Sequence, residues 1–264
     1  TGSIGVVTVN MPRIAYLSAD EGEFFTRLDR MMDIAARSLK IKRTTVGKLM
    51  EEGLYPYTKR YLGSFDNHFS TIGLLGMNEA GLNAAWLRKD LTHEETQEFA
   101  VRVLNHMRER LSDYQEKYGD LYNLEATPAE STSYRLAKHD KVHFPDIITA
   151  HEGATPYYTN SSHLPVGYTE DVFAALDVQD KLQPLYTSGT VFHTFSGCLT
   201  DALAGFFRCD ADRSLTESFF DRNGADLRIP VMDVGAECTV AAQKYGWYAE
   251  LCRIESVHEK FTAE

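Results

Sequence analysis

The chain has 264 residues, 43% hydrophobic and 25% charged, values ordinary for a globular protein and sufficient for one large α/β domain or two small ones. Its net charge of -11 argues against nucleic acid as a partner, which would call for a basic face, and no run of about 18 apolar residues marks a membrane span. The four cysteines, Cys198, Cys209, Cys238 and Cys252, form no C-x-x-C pair and leave residues 1–197 without one, so no zinc or redox motif is legible and a cytoplasmic, disulfide-free protein is expected.

The chain opens at Thr1 directly on a strand-like run and reads as a piece of something longer. Ile4 to Asn10 is β-branched with little polar alternation, as for a strand buried on both faces. From about Asp20 to Glu52 the apolar positions Phe24, Phe25, Leu28, Met31, Met32, Ala35 and Leu39 fall on one helical face, and Gly53 suits the helix end. Tyr55 to Tyr61 reads as an aromatic and basic surface loop. Phe69 to Gly76 is a second buried strand, followed by a helix from Met77 to about Arg88. A third long helix, from Thr92 to about Lys117, opens on the capping signature Thr92-His93-Glu94-Glu95.

The central stretch is Leu121 to Arg135. A short strand, Leu121 to Ala126, runs into Thr127-Pro128-Ala129-Glu130, in which Thr127 can cap a helix, Pro128 suits its first position and Glu130 completes a capping box. The hydroxyl residues Ser131, Thr132 and Ser133 follow. A strand that feeds a helix through small residues points unpaired backbone N–H groups at whatever lies above them, which suits an anion and phosphate best. The same residues open helices that bind nothing, and local chemistry leaves both readings standing.

Beyond it, Tyr157 to Tyr168 is polar yet aromatic and too long for a tight turn, a composition that often carries function on an α/β scaffold. Thr169 is expected to cap a helix over about Glu170 to Lys181, and Ser188 to Phe195 is a short strand after a glycine turn. Strands at about 4–10, 69–76, 121–126 and 190–195, alternating with long helices, predict an α/β fold with a parallel sheet or barrel and its sites at the strand C-terminal ends. After Cys198 the pattern weakens, with no clear strand until Ile229 to Val234.

Six stretches in register resemble the anaerobic, class III ribonucleoside-triphosphate reductases, a glycyl-radical family. They are Thr1–Ser18 (TGSIGVVTVNMPRIAYLS), Glu52–Leu62 (EGLYPYTKRYL), His68–Asn83 (HFSTIGLLGMNEAGLN), Asn123–Asp140 (NLEATPAESTSYRLAKHD), Phe144–Ala150 (FPDIITA) and Tyr157–His193. The resemblance implies a ten-stranded α/β barrel of two five-stranded halves, with this chain supplying the second half over residues 1–195 and a divergent segment over 196–264. It implies that substrate phosphates sit at the turn Thr127, Pro128, Ala129, Glu130, Ser131, Thr132 and Ser133, with Asn160, Ser161, Ser162 and His193 lining the same mouth.

The implied chemistry is radical. A separate S-adenosylmethionine and iron-sulfur activase installs a glycyl radical, which passes to a cysteine. The thiyl takes the ribose 3′-hydrogen, the 2′-hydroxyl leaves as water, and formate or a thiol protein supplies electrons. The substrates would be ribonucleoside triphosphates. Gly246 holds the position of the radical glycine but lacks the flanking arginine, and the ordinary reading is a turn glycine. The full-length family carries zinc, for which no site is legible here. The family's finger-loop cysteine falls outside the chain, so the isolated chain is expected to be inactive, and a non-catalytic nucleotide-binding remnant is the alternative. Ser3 departs from the catalytic asparagine of some relatives. A half-barrel also leaves strand edges open, so aggregation or dimerisation is expected.

Overall fold

The computed structural model describes residues 2–151, 153, 155–169, 171–190, 192–195, 237–242 and 248–250. It divides into two compact units: Thr1–Val166 with Leu185–Ser188, and Gly167–Pro184 with Gly189–Glu264.

The first unit is built on strands β1 (Ser3–Asn10), β2 (Phe69–Leu75) and β3 (Tyr122–Glu125), in that spatial order and parallel throughout. Parallel neighbours need a crossover, and the sequence supplies two. Helices α1 (Met11–Tyr16), α2 (Glu21–Glu51) and α3 (Pro56–Leu62) lie between β1 and β2, and α4 (Met77–Asn83) and α5 (Glu94–Tyr118) between β2 and β3. Helix α6 (Glu130–His143) follows β3. The apolar stripe of α2 is buried through Phe24, Leu28, Met32, Ala35 and Leu39. Phe24 meets Phe99 of α5 edge-on at 5.0 Å between ring centroids, a geometry that adds to area burial. Gly53 takes φ +89° just past the α2 terminus, a conformation that costs glycine little.

Helix α2 reaches both neighbouring strands. Tyr122 on β3 donates to the Ala36 carbonyl at 3.2 Å, and Arg43 on α2 contacts Ser70 on β2. By strand alternation and register, Val6, Thr71, Gly73, Asn123 and Glu125 belong to the opposite face. There Val6 is 48% exposed, so the expectation that this strand is buried on both faces does not hold for β1 in this chain. Its β-branched run is intrinsic to the strand, but of the residues named on that face Thr71, Gly73 and Asn123 on β2 and β3 are buried, and Val6 at the β1 edge is left open among the described residues.

Other expectations are corrected locally. Tyr55 to Tyr61 is not a loop: Pro56 opens α3, none of whose residues is buried. Helix α4 ends at Asn83 rather than near Arg88, because Asn83 turns its side chain to the Ile148 backbone, donating to its carbonyl and accepting its N–H, both at 2.9 Å. Thr92 does not cap α5. The N-cap is His93, and Thr92 gives its N–H and hydroxyl to Asp90.

In the second unit, helix α7 (Val172–Gln179) is capped by Asp171, whose carboxylate accepts the Phe173 N–H at 2.9 Å. Thr169, the expected cap, instead accepts the Asp171 N–H at 3.0 Å. Strand β4 (Phe192–Phe195) does not extend the parallel sheet. It pairs antiparallel with β5 (Glu237–Ala242), which pairs antiparallel with β6 (Tyr248–Glu250). Its partner lies far along the chain, and local pattern carries no information about such a pairing. The strand expected at Ile229 to Val234 lies outside the described residues.

Among the described residues the outer edge of β1 has no strand partner, and Val6 adds an exposed apolar side chain to it. Open edges template pairing with another chain. The chain is therefore expected to sediment as a dimer or larger species, and Val6→Lys to shift it toward monomer. A compact monomer for the unsubstituted chain would contradict this.

Candidate functional site

Strands β1, β2 and β3 end side by side at Asn10, Leu75 and Glu125, where α/β folds of parallel strands carry their sites. Two segments converge there in the first unit: the turn from Thr127 to Ser133, and a rib formed by Tyr157 to Ser162. Ser133 joins them. Its hydroxyl donates to the Tyr158 carbonyl at 2.5 Å and accepts the Tyr158 N–H at 3.0 Å.

The rib is fixed to the end of β2 by backbone bonds. Gly76 N–H donates to the Thr159 carbonyl at 2.9 Å and Met77 N–H to the Ser161 carbonyl at 2.9 Å, and Leu75 and Asn160 form an antiparallel bridge. Gly76 takes φ +76°, and a Cβ added to it would lie 2.5 Å from Pro12, so only glycine fits between β2 and α4. Ser161 takes φ +40°, an uncommon conformation for a residue with a Cβ that costs on the order of 1 to 3 kcal/mol and survives where its surroundings over-determine it. Tyr186 contributes to that hold by donating to the Ser162 hydroxyl at 2.8 Å.

Two fully buried carboxylates flank the rib. Asp140 on α6 accepts from Asn10 Nδ2 at 2.7 Å, from Arg13 Nε at 2.6 Å and from the Tyr158 hydroxyl at 2.8 Å, and Arg13 Nη2 also pairs with it. Burial, followed by the Asp140 charge, drives the Tyr158 phenol well above its ordinary range and keeps it a donor. Glu79 on α4 accepts the Thr159 N–H at 2.9 Å, the Thr159 hydroxyl at 2.7 Å and Asn78 Nδ2 at 2.9 Å. Burial raises its pKa, and its three hydrogen bonds act against that rise. Residues 158 and 159 thus send adjacent side chains to different buried acids.

The turn itself departs from the expected capping box. Helix α6 begins at Glu130, its N-cap is Ala129, and no side chain caps it. Thr127 stands two residues too early. Its Oγ1 is buried without a hydrogen-bond partner among the described residues and lies against Gly73, where an added Cβ would come within 1.7 Å of it. Packing against the sheet takes up the side chain that capping would need. Pro128, exposed, therefore precedes the helix rather than opening it, and the Thr127 hydroxyl does not make the cap bond expected of it. The first-turn N–H groups of Glu130, Ser131 and Thr132 have no intrahelical acceptor. Ser131 is exposed, Thr132 half-buried and Ser133 buried. Next to the turn, Glu125 at the end of β3 has its Oε2 buried without a partner among the described residues, and burial raises its pKa.

The turn and Asn160, Ser161 and Ser162 are therefore brought together. His193 belongs to β4 in the second unit, and Gly246 lies outside the described residues. Ser3 stands at the opposite end of β1, where its hydroxyl bonds Thr71 Oγ1 at 2.7 Å. Sequence reasoning missed Asn10, Arg13, Glu79, Asp140, Tyr158 and Thr159. A usable signal existed for one of them: Ser133, Ala137 and Asp140 recur at i, i+4 and i+7, so the acid shares the buried face of α6. Among the described residues no group of three or more His, Cys, Asp or Glu side chains is arranged to hold a metal ion.

A family model described as anaerobic ribonucleoside-triphosphate reductase matches residues 1–208. Curated relatives with that description include one from Haemophilus influenzae, 29% identical over 206 residues, and one from Escherichia coli, 24% identical over 207 residues; each match covers 72% of this chain and 28% of the relative. Among solved structures, the anaerobic ribonucleotide reductase from Thermotoga maritima in complex with dATP and CTP superimposes with a TM-score of 0.60 at 25% identity. That match covers 70% of this chain and 31% of the other. The chain thus spans a little over a quarter of the length of the curated relatives it matches.

The contact between Gly73 and Thr127 sets an expectation for stability. Gly73→Ala should destabilise the chain by about 1 to 3 kcal/mol, as overpacking does. Adding Thr127→Ala should recover part of that loss, because it removes the clashing Oγ1. Urea unfolding of the two single variants and the double variant measures the coupling, and strictly additive losses would show that the two positions do not meet.

Proposed function

This chain belongs to the anaerobic ribonucleoside-triphosphate reductase family, and we propose that its part in that family's reaction is to hold the substrate triphosphate. The observation that carries this reading is the uncapped N-terminus of α6, set beside the rib at the C-terminal ends of three parallel strands. A helix terminus offers free N–H groups and the positive end of the helix dipole, and both favour an anion. The ligand's phosphate oxygens would accept from the N–H groups of Glu130, Ser131 and Thr132. The rib residues Asn160 to Ser162 would line the same mouth. The relative from Thermotoga maritima binds dATP and CTP, which supports a nucleotide as the ligand class.

In this reading the parallel sheet β1–β2–β3 belongs to the second half of a ten-stranded barrel, which explains an uncovered strand face bearing Val6. The complete protein would reduce ribonucleoside triphosphates to deoxyribonucleoside triphosphates in the cytoplasm. An S-adenosylmethionine-dependent activase would supply the glycyl radical, and formate or a thiol protein the electrons. This chain's residues bind and orient the substrate. Burial of the Thr127 hydroxyl, Ser133 and Tyr158 keeps the mouth rigid. No zinc site is assigned, because the described residues do not fit one, and Gly246 stands as the radical position only by its place in the sequence.

A second reading, nucleotide binding without turnover, is favoured by the absence of cysteine from residues 1–197. A thiyl radical would have to come from outside that stretch.

Thr132→Glu tests the shared claim of both readings. It puts a carboxylate among the phosphate donors and should weaken binding of a ribonucleoside triphosphate to the chain at least tenfold, roughly 1.4 kcal/mol. Calorimetric titration measures it, with circular dichroism to verify folding. Unchanged affinity would remove the phosphate assignment.

A further inference from the structure

We propose that Glu79 is a positioning residue: acting through Thr159, it sets the conformation of the Tyr157–Ser162 rib that faces the phosphate turn. The link to nucleotide binding rests on the function proposed above. The hold on the rib is independent of it.

The geometry points to Glu79 for three reasons. It is fully buried, and among the described residues no ion pair neutralises it. A buried acid of this kind is retained only where its hydrogen bonds offset the cost of burial, and of the three hydrogen bonds it accepts among the described residues two come from a single residue, Thr159, one from the backbone and one from the side chain. Such a two-point grip fixes both the position of the peptide and the rotamer of the side chain.

The segment it grips is also the one that needs holding. Two residues on, Ser161 takes φ +40°. Between them the rib returns its carbonyls to Gly76 and Met77, the two residues that open α4. Glu79 stands on that same helix. The end of β2, the start of α4 and the rib are therefore a single closed set of hydrogen bonds, with Glu79 the carboxylate in it among the described residues. On the far side of the rib, Ser133 holds Tyr158 from the phosphate helix. A shift at Thr159 is transmitted along one peptide to Tyr158 and through Ser133 to the donors of the turn.

Asn78 orients the acid in turn. Its Nδ2 donates to Glu79, and its Oδ1 accepts the Leu91 N–H at 3.1 Å, which fixes the amide's orientation. Glu79 thus presents acceptors on both oxygens. A glutamine there would bring an NH2 group against the N–H of Thr159 or the Nδ2 of Asn78, one donor facing another.

The experiment compares Thr159→Val, Thr159→Ser and Glu79→Gln in the full 264-residue chain. Two readouts are taken on folded protein: amide hydrogen exchange at Gly76, Met77 and Thr159, and affinity for a ribonucleoside triphosphate. Thr159→Val removes the hydroxyl bond at almost constant volume. It should speed exchange at Gly76 and Met77 without changing exchange in α2. It should also weaken nucleotide binding on the order of tenfold, the effect of one hydrogen bond to a charged group. Thr159→Ser, which keeps the hydroxyl, should restore both, and Glu79→Gln should match or exceed Thr159→Val. Unchanged exchange in Thr159→Val and Glu79→Gln would overturn the proposal. Faster exchange with unaltered affinity would overturn the positioning role and leave Glu79 a structural residue. If the unsubstituted chain binds no nucleotide, the function proposed above fails, and the exchange data still decide whether Glu79 sets the rib.

Discussion

The first unit depends on two buried carboxylates that pull one short segment in two directions. Tyr158 donates to Asp140 and Thr159 is held by Glu79, so successive residues are anchored to α6 on one side and α4 on the other. Because side chains alternate along an extended segment, such a rib can be gripped from both flanks and still leave its ends toward the open mouth. Asp140 extends the hold to the end of β1 through Asn10 and Arg13. Elements far apart in sequence meet at these acids: the β1–α1 junction, α6 and the rib at Asp140, and α4 and the rib at Glu79. Removing one partner of a buried charge pair typically costs about 3 to 5 kcal/mol, because the charge left behind keeps its desolvation cost. The Arg13 side chain is one-third exposed, which makes its share smaller.

That arrangement separates rigidity from coverage. The helix-facing side of the sheet is closed by α2 and α5 with aromatic and aliphatic contacts. The other face carries Thr71, Gly73, Asn123 and Glu125, and the Asn123 Oδ1 and Glu125 Oε2 atoms are buried without partners among the described residues. Unsatisfied acceptors are costly in a finished core. On a face meant to meet a ligand or further protein they have a use, and Gly73 leaves room beside them for Thr127 to pack.

Much of this scaffold is legible in the sequence. Strands 4–10, 69–76 and 121–126 and the two long helices are read to within a few residues, because long periodic segments carry their own evidence. The site was flagged by composition at both of its parts, the hydroxyl-rich turn and the polar, aromatic rib. What stayed hidden was relational. Glu79 sits in a stretch of apolar and small residues, Leu74 to Leu82, where a lone acid signals either a surface or a buried anchor, and only the fold says which. Helix α3 reads as a loop in the sequence because no buried face gives it a period. The strand at Phe192 reads as part of the parallel sheet because its antiparallel pairing with β5, more than 40 residues on, leaves no local trace.

The misread cap at Thr127 is informative in its own right. A capping box and an anion site compete for the same donors: a threonine that accepts a first-turn N–H withdraws it from any ligand. The residues from Thr127 to Glu130 carry the composition of a box, yet the threonine is spent on Gly73 and the helix begins three residues later. Pro128 helps to produce that outcome, since a proline disfavours helical backbone in the residue before it and so keeps Thr127 extended. Three N–H groups are left without an intrahelical acceptor, beside Ser133, whose hydroxyl is already bonded to the rib. The contacts that deny the terminus a cap also leave its N–H groups free of the threonine that would otherwise compete with an anion for them.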